Sequence, residues 1–209
     1  MSSRNYQREL DEYISKLNER PRLLLHCCCA PCSSYVTEYL HEFFDITVFF
    51  YNPNITEGEE YLKRKAELKR YLSEVPFGDE ISWIDADYEP ERFLEMVKGL
   101  ENEPERGKRC TECFRLRLGE TARMAKENGF ELFCTTLSIS PHKDANLLMA
   151  IGEELARMYG LTYLPSDFKK KNGYKRSIEL SGEYDLYRQD YCGCRFSRAA
   201  KHPEAGDKA

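Results

Sequence analysis

No apolar stretch of this 209-residue chain could cross a bilayer. Its longest runs, Leu23–Leu25 and Ile46–Tyr51, fall far short of the ~20 residues a spanning helix needs. Arg4 and Arg8 stand near the start without the apolar segment that follows such charges in a secretion signal, so a cytoplasmic location and no membrane partner are expected. Internal repeats and low-complexity tracts are missing. The glycines of a GxxxxGKS/T loop are missing too, which argues against a nucleoside-triphosphate site. Nor is basic charge in excess: 31 Lys and Arg against 36 Asp and Glu leave a net charge of −5, which argues against a cation-coated surface and against DNA as a partner.

What is present is the composition of a folded chain, 41% apolar and 32% charged, of a length that fits one domain over residues 1–209. Apolar periodicity predicts a helix over residues 3–19, ended by Pro21. Strands are predicted at Arg22–Cys28, Ile46–Tyr51, Glu80–Ala86, Glu131–Leu137 and Leu161–Pro165. Helices are predicted at Ser33–Phe43, Glu59–Leu72, Glu89–Leu100, Cys113–Asn128 and from Pro141 to Tyr159. Strands alternating with helices favour an α/β fold with a parallel sheet of about five strands, followed by a polar C-terminal extension. Such sheets bind ligands beyond the strands' carboxyl ends, so the loops after strands one and four would share a crevice if those strands are neighbours. Residues 199–209 read as a flexible tail.

Nine cysteines dominate the chemistry. The odd count and the expected compartment argue against a framework of structural disulfides and for metal binding or redox work. Cys27, Cys28, Cys29 and Cys32 fall in the run HCCCAPC, where strand one gives way to a loop. Cys110 and Cys113 form a CxxC at a helix start, a position that favours thiolate. Alone, that CxxC reads equally as a redox pair or as half a metal site. Zinc and iron–sulfur clusters both take four such ligands, and nine cysteines exceed what one structural zinc needs. Cys192 and Cys194 flank Gly193 in a CxC whose disulfide would close a small strained ring, a labile or catalytic type; two further metal ligands are the alternative. Cys134, alone in strand four, reads as a core residue.

Charge is unevenly spread. Residues 168–198 hold eight Lys or Arg and four acids, so this stretch is positive while the rest of the chain is strongly negative. Lys169, Lys170, Lys171, Lys175, Arg176 and Arg188 suit phosphates, and Tyr174 and Tyr187 offer stacking faces for bases, alongside the plainer reading of a solvated loop. His142 and Lys143 sit at the strand-to-helix junction TTLSISPHKD, as anion-binding groups or as ordinary helix surface.

Taken together, HCCCAPC (His26–Cys32), FYNPNI (Phe50–Ile55), CTECFRLRL (Cys110–Leu118), TTLSISPHKD (Thr135–Asp144), DFKKKNGYKRS (Asp167–Ser177) and YRQDYCGCRFS (Tyr187–Ser197) closely resemble the QueH-type epoxyqueuosine reductases, from about Pro21 to Ser197. The resemblance implies a cobalamin-independent enzyme of the last step of queuosine biosynthesis. Such an enzyme reduces the epoxide of epoxyqueuosine at the tRNA wobble position with two electrons and two protons, releasing water. It also implies a fold similar to adenine nucleotide α-hydrolase-like domains and a [4Fe–4S] cluster on Cys27, Cys28, Cys110 and Cys113. Cys192 and Cys194 would be a redox-active pair. A second metal, iron or zinc, would draw on Cys29 and Cys32. Implied partners are tRNA and an electron donor the sequence does not identify.

Overall fold

The computed structural model describes residues 4–202. In chain order it contains α1 (Tyr6–Ile14), β1 (Arg22–His26), α2 (Ala30–Leu40), β2 (Asp45–Phe49), α3 (Gly58–Glu74), β3 (Ser82–Ile84) and α4 (Pro90–Met96). There follow α5 (Lys108–Glu127), β4 (Leu132–Thr135), α6 (Ala145–Tyr159), β5 (Thr162–Tyr163), α7 (Gly173–Glu183) and α8 (Arg195–Lys201). Five strands form one parallel sheet in the order β3-β2-β1-β4-β5. The chain winds outward from β1 through β2 to β3, then returns to β1's other side with β4. That reversal opens a crevice at the carboxyl ends of β1 and β4, where His26 and Thr135 are register partners.

Alternation along the strands sorts the core into two layers. Leu23, Leu25, Ile46 and Val48 point into one, closed by Val36 and Leu40 of α2 and Leu68 of α3. Leu24, Phe49 and Phe133 point into the other, closed by Leu118 and Ala122 of α5 and by Leu148 and Ile151 of α6. Each fully buried Leu or Phe stabilises the fold by roughly 1.5–3 kcal/mol relative to exposure. Because β1 carries apolar residues on both faces, its sequence shows no polar alternation, as a central parallel strand requires.

Several boundaries differ from those the sequence predicts, and those of β1, α2 and α6 shape the site. β1 ends at His26 rather than Cys28, and α2 starts at Ala30 with Pro31 in its first turn. The three consecutive cysteines therefore lie on the short exit between strand and helix. α6 starts at Ala145, not Pro141, because Asp144 Oδ1 accepts from the backbone N–H groups of Asn146 and Leu147 at 2.8 and 3.4 Å and so caps the helix there. The segment Thr136–Ile139 is a 3-10 turn, and Pro141–Lys143 is left to line the crevice. The predicted first helix begins at Tyr6 and ends at Ile14; residue 3 lies outside the described residues. Of the expected tail, 199–201 close α8, and residues 203–209 lie outside the described residues.

Candidate metal and redox site

The exit from β1 separates its cysteines. Cys27 continues the strand's alternation and is wholly buried in the layer of Leu25 and Val36, where burial pushes its thiol far above the ordinary value. Cys28 turns to the opposite layer, the one holding Cys110, Cys113, Cys192 and Cys194. Cys29 and Cys32 come back toward Cys28, so that the three sulfurs lie within 4.8 Å of one another. Cys28 and Cys29 are 3.7 Å apart. Hydrogen bonds from Cys29 and Cys32, with Arg117 nearby, hold Cys28 well below the usual thiol range, while Cys29 and Cys32, as the donors, are raised. One negative charge shared by three sulfurs is the ionisation a soft metal ion takes up.

Cys110, Cys113 and Arg117 lie three and four residues apart on α5 and so form one stripe of the helix. The N–H of Arg106 donates to Cys110 Sγ at 3.3 Å. Burial raises Cys113, with Arg117 opposing that rise.

Cys192 and Cys194 are brought in by a C-terminal segment laced onto β2's exit and α3. Buried Arg64 donates to the carbonyls of Tyr191 and Cys192, both at 3.3 Å, and is itself ion-paired to Glu60 at 2.6 Å. Asn54 Nδ2 donates to the Cys192 carbonyl at 3.2 Å. Gly193 has φ +109°, and a Cβ there would stand 2.7 Å from Ile55 Cγ1, so the turn requires glycine for both reasons. The two sulfurs are 3.5 Å apart. The hydrogen bond they share, aided by Lys143, lowers Cys192 and raises Cys194.

These pieces enclose a cavity of about 290 Å³ between the loops after β1 and β4, lined in part by Cys28, Cys32, Cys192, Lys143, Tyr174 and Arg188. A narrower cleft beside it is walled by Cys110, Cys113, Cys192, Cys194 and Asn54. Arg117, Lys143 and Cys192 line both. Burial works against the Lys143 charge, yet the facing Cys192, Cys113 and Cys110 thiols lift its pKa above the ordinary lysine value.

The crevice thus gathers Cys28, Cys32, Cys110, Cys113, Cys192 and Cys194, with Cys29 beside them, and sets Cys27 and Cys134 apart in the core. Of the implied cluster set, Cys28, Cys110 and Cys113 pack on one layer and Cys27 on the other, where Cys32 also packs. Of the eight residues expected to clamp an anionic substrate, Tyr174 and Arg188 line the cavity. Lys169 is paired with Asp167 at 2.8 Å, Lys171 with Asp11 at 2.6 Å, and Arg176 with Glu38 and Glu183 at 2.7 Å each. Lys175 lies 3.8 Å from Glu179, and the Tyr187 hydroxyl donates to Glu60 at 3.2 Å, beneath the Lys63 ammonium. Lys170 is exposed. Sequence reasoning missed Arg117, Arg64, Asn52 and Asn54. For Arg117 a signal existed, its four-residue spacing from Cys113.

The family profile described as epoxyqueuosine reductase QueH matches residues 23–200. An epoxyqueuosine reductase QueH of Streptococcus pyogenes serotype M1 is 46% identical over 92% of this chain and 78% of its own length. One of Staphylococcus epidermidis is 44% identical over 92% of this chain and 84% of its own length. A more distant relative of the same name from Thermotoga maritima is 34% identical over 89% of this chain and 96% of its own length.

Proposed function

The chain belongs to the epoxyqueuosine reductase QueH family, and from that premise we propose that it reduces the epoxide of epoxyqueuosine, carried at the wobble position of a tRNA, to the cyclopentene of queuosine. The observation that carries this reading is the convergence of thiols from three distant segments on the crevice between β1 and β4.

The thiol donors suit an iron–sulfur cluster: Cys28, Cys110 and Cys113 share one layer, and the fourth ligand comes from the same run as Cys28, either Cys27, as the resemblance implies, or Cys29, 3.7 Å from Cys28. Cys32, with whichever thiol of that run the cluster leaves free, would serve a second metal, iron or zinc. When bound, such a cluster supplies electrons singly at a potential tuned by its surroundings. The chain's own residues account for the rest. Removing the epoxide oxygen as water takes two electrons and two protons. The Cys192–Cys194 dithiol holds both pairs: each S–H bond yields a proton, an S–S bond forms, the two C–O bonds break and a C=C bond replaces them. Lys143, between dithiol and cavity, stabilises negative charge on the Cys192 sulfur and on the departing oxygen. The cavity has room for a modified base but not for a tRNA stem, so the anticodon nucleotide must reach in from its loop. Tyr174 and Arg188 line its wall as stacking and phosphate-pairing groups. Two one-electron deliveries from an external donor, with two protons from solvent, return the disulfide to the dithiol.

Replacing Cys192 or Cys194 with Ser is the test. With epoxyqueuosine-containing tRNA and a chemical reductant, turnover is expected to fall at least about a hundredfold while tRNA binding stays near wild type. Wild-type turnover in both variants would make the pair merely structural.

A further inference from the structure

Arg117 is a buried cation without an anion. Its side chain is 4% exposed. Nη2 donates to Asn52 Oδ1 at 2.6 Å, and Nε lies 3.4 Å from His26 Nε2. Neither partner is an anion: one is an amide and the other an imidazole. No carboxylate pairs with Arg117 among the described residues. The chain's other buried arginines are differently provided for. Arg64 pairs with Glu60 at 2.6 Å, and Arg109 donates to the carbonyls of Leu100, Glu101 and Glu103 at 3.1, 2.8 and 2.5 Å. A desolvated charge left uncompensated costs several kcal/mol, so a folded chain that keeps one places an anion against it. The groups around Arg117 that can carry negative charge are sulfurs. It lies against Cys113 on α5 and near Cys28 at the exit of β1, and it lines both cavities where the thiols meet. Asn52, which accepts from Arg117, donates through Nδ2 to the Cys27 carbonyl at 2.9 Å and so ties the guanidinium to the cysteine run.

We propose that Arg117 is a positioning residue whose fixed positive charge compensates the thiolates of Cys28 and Cys113 and sets the reduction potential of the inorganic centre they hold. The inference rests on the iron–sulfur reading above. The potential of such a centre follows its net charge and the hydrogen bonds to its sulfurs, and a nearby cation favours the more negative, reduced state. The guanidinium is the fitting group because it stays protonated at any working pH, where a lysine could shed its charge on burial. Removing it should leave the cluster harder to reduce.

The test compares wild type, Arg117→Met and Arg117→Lys, purified without oxygen, by iron and sulfide content and by redox titration followed by electron paramagnetic resonance. Arg117→Met is expected to retain its cluster and to be about tenfold harder to reduce, which for one electron is about 59 mV. Arg117→Lys should recover most of that shift, which a purely steric role would not allow. If Arg117→Met does not fold, Arg117→Gln keeps a donor to Asn52 and serves in its place. Equal potentials in the charged and neutral variants would overturn the proposal. Should wild type hold no iron at all, the functional reading fails, and Arg117 is judged by iodoacetamide labelling of Cys28 and Cys113 in metal-free protein at fixed pH. About tenfold slower labelling in the neutral variant supports its charge compensation of the thiolates while its potential-setting role falls with the iron, and unchanged labelling overturns the proposal entirely.

Discussion

His26 ends β1 at the centre of the crevice, wholly buried, with Nδ1 2.8 Å from Thr135 Oγ1 and Nε2 3.0 Å from the Tyr51 carbonyl. Its pKa is pushed down to about 3, first by burial and then by Arg117, whereas in the unfolded chain it titrates near 6.5. Below pH 6.5 the unfolded chain therefore binds a proton that the folded chain refuses, and stability falls with pH by up to roughly 1.4 kcal/mol per unit for this group. Urea unfolding between pH 7 and pH 5, above the range where carboxylates titrate, should show that decline, and His26→Asn should flatten it. An equal slope in the variant would show that His26 does not carry the effect. The neighbouring cysteines show what a one-letter difference in position does. Cys27 and Cys28 have the same chemistry and adjacent numbers, yet one lies in each core layer. The alternation that divides them is readable in the sequence, but where the strand ends is not, and that boundary decides which of Cys28 and Cys29 can turn back toward the other. Arg117 was half legible. Its four-residue spacing from Cys113 places it on the cysteine stripe, but a lone arginine on a helix is usually solvated, and its burial beside uncharged partners shows only in the fold.

Helix α6 and strand β5 meet where Gly152 faces the ring of Tyr163; a Cβ on residue 152 would stand 2.4 Å from ring carbons. Tyr163 is buried beside Phe133 of β4, their ring centroids 5.1 Å apart, so it has nowhere to retreat. Gly152→Ala should then force α6 off the sheet and lower the unfolding free energy by about 1–3 kcal/mol, despite alanine's better helix propensity. A urea midpoint equal to or above wild type would contradict this packing. Elements of this kind were legible beforehand. All five strands and the flanking helices sit near their predicted places, because each carries its own apolar period and its own stop. The start of α6 was misplaced because proline suits a first helical turn as well as a loop, and the cap that settles the matter, Asp144, belongs to a residue type common in both. The lacing of the C-terminal segment onto α3 by Arg64, and onto the exit of β2 by Asn54, was not readable at all. It joins residues more than a hundred positions apart, and no local pattern announces such contacts.

Across the whole molecule, a parallel sheet brings cysteines to its switch point with no glycine-rich loop there. The crevice that such topology opens is here floored by sulfur and walled by the fixed charge of Arg117 and the ammonium of Lys143. The basic C-terminal segment supplies less free charge than its composition suggests, since Lys169, Lys171 and Arg176 are engaged with acids of the same chain. Among the described residues no helix is long and apolar enough to cross a membrane. The iron–sulfur part of the proposed function depends on the gathered thiolates holding iron. Purification without oxygen, followed by iron and acid-labile sulfide analysis of wild type, Cys28→Ser and Cys113→Ser, tests that dependence. A coloured wild-type protein with iron and sulfide in the proportions of a [4Fe–4S] cluster, both sharply reduced in each variant, is the predicted result. A colourless wild-type protein that turns over epoxyqueuosine tRNA without iron would contradict it.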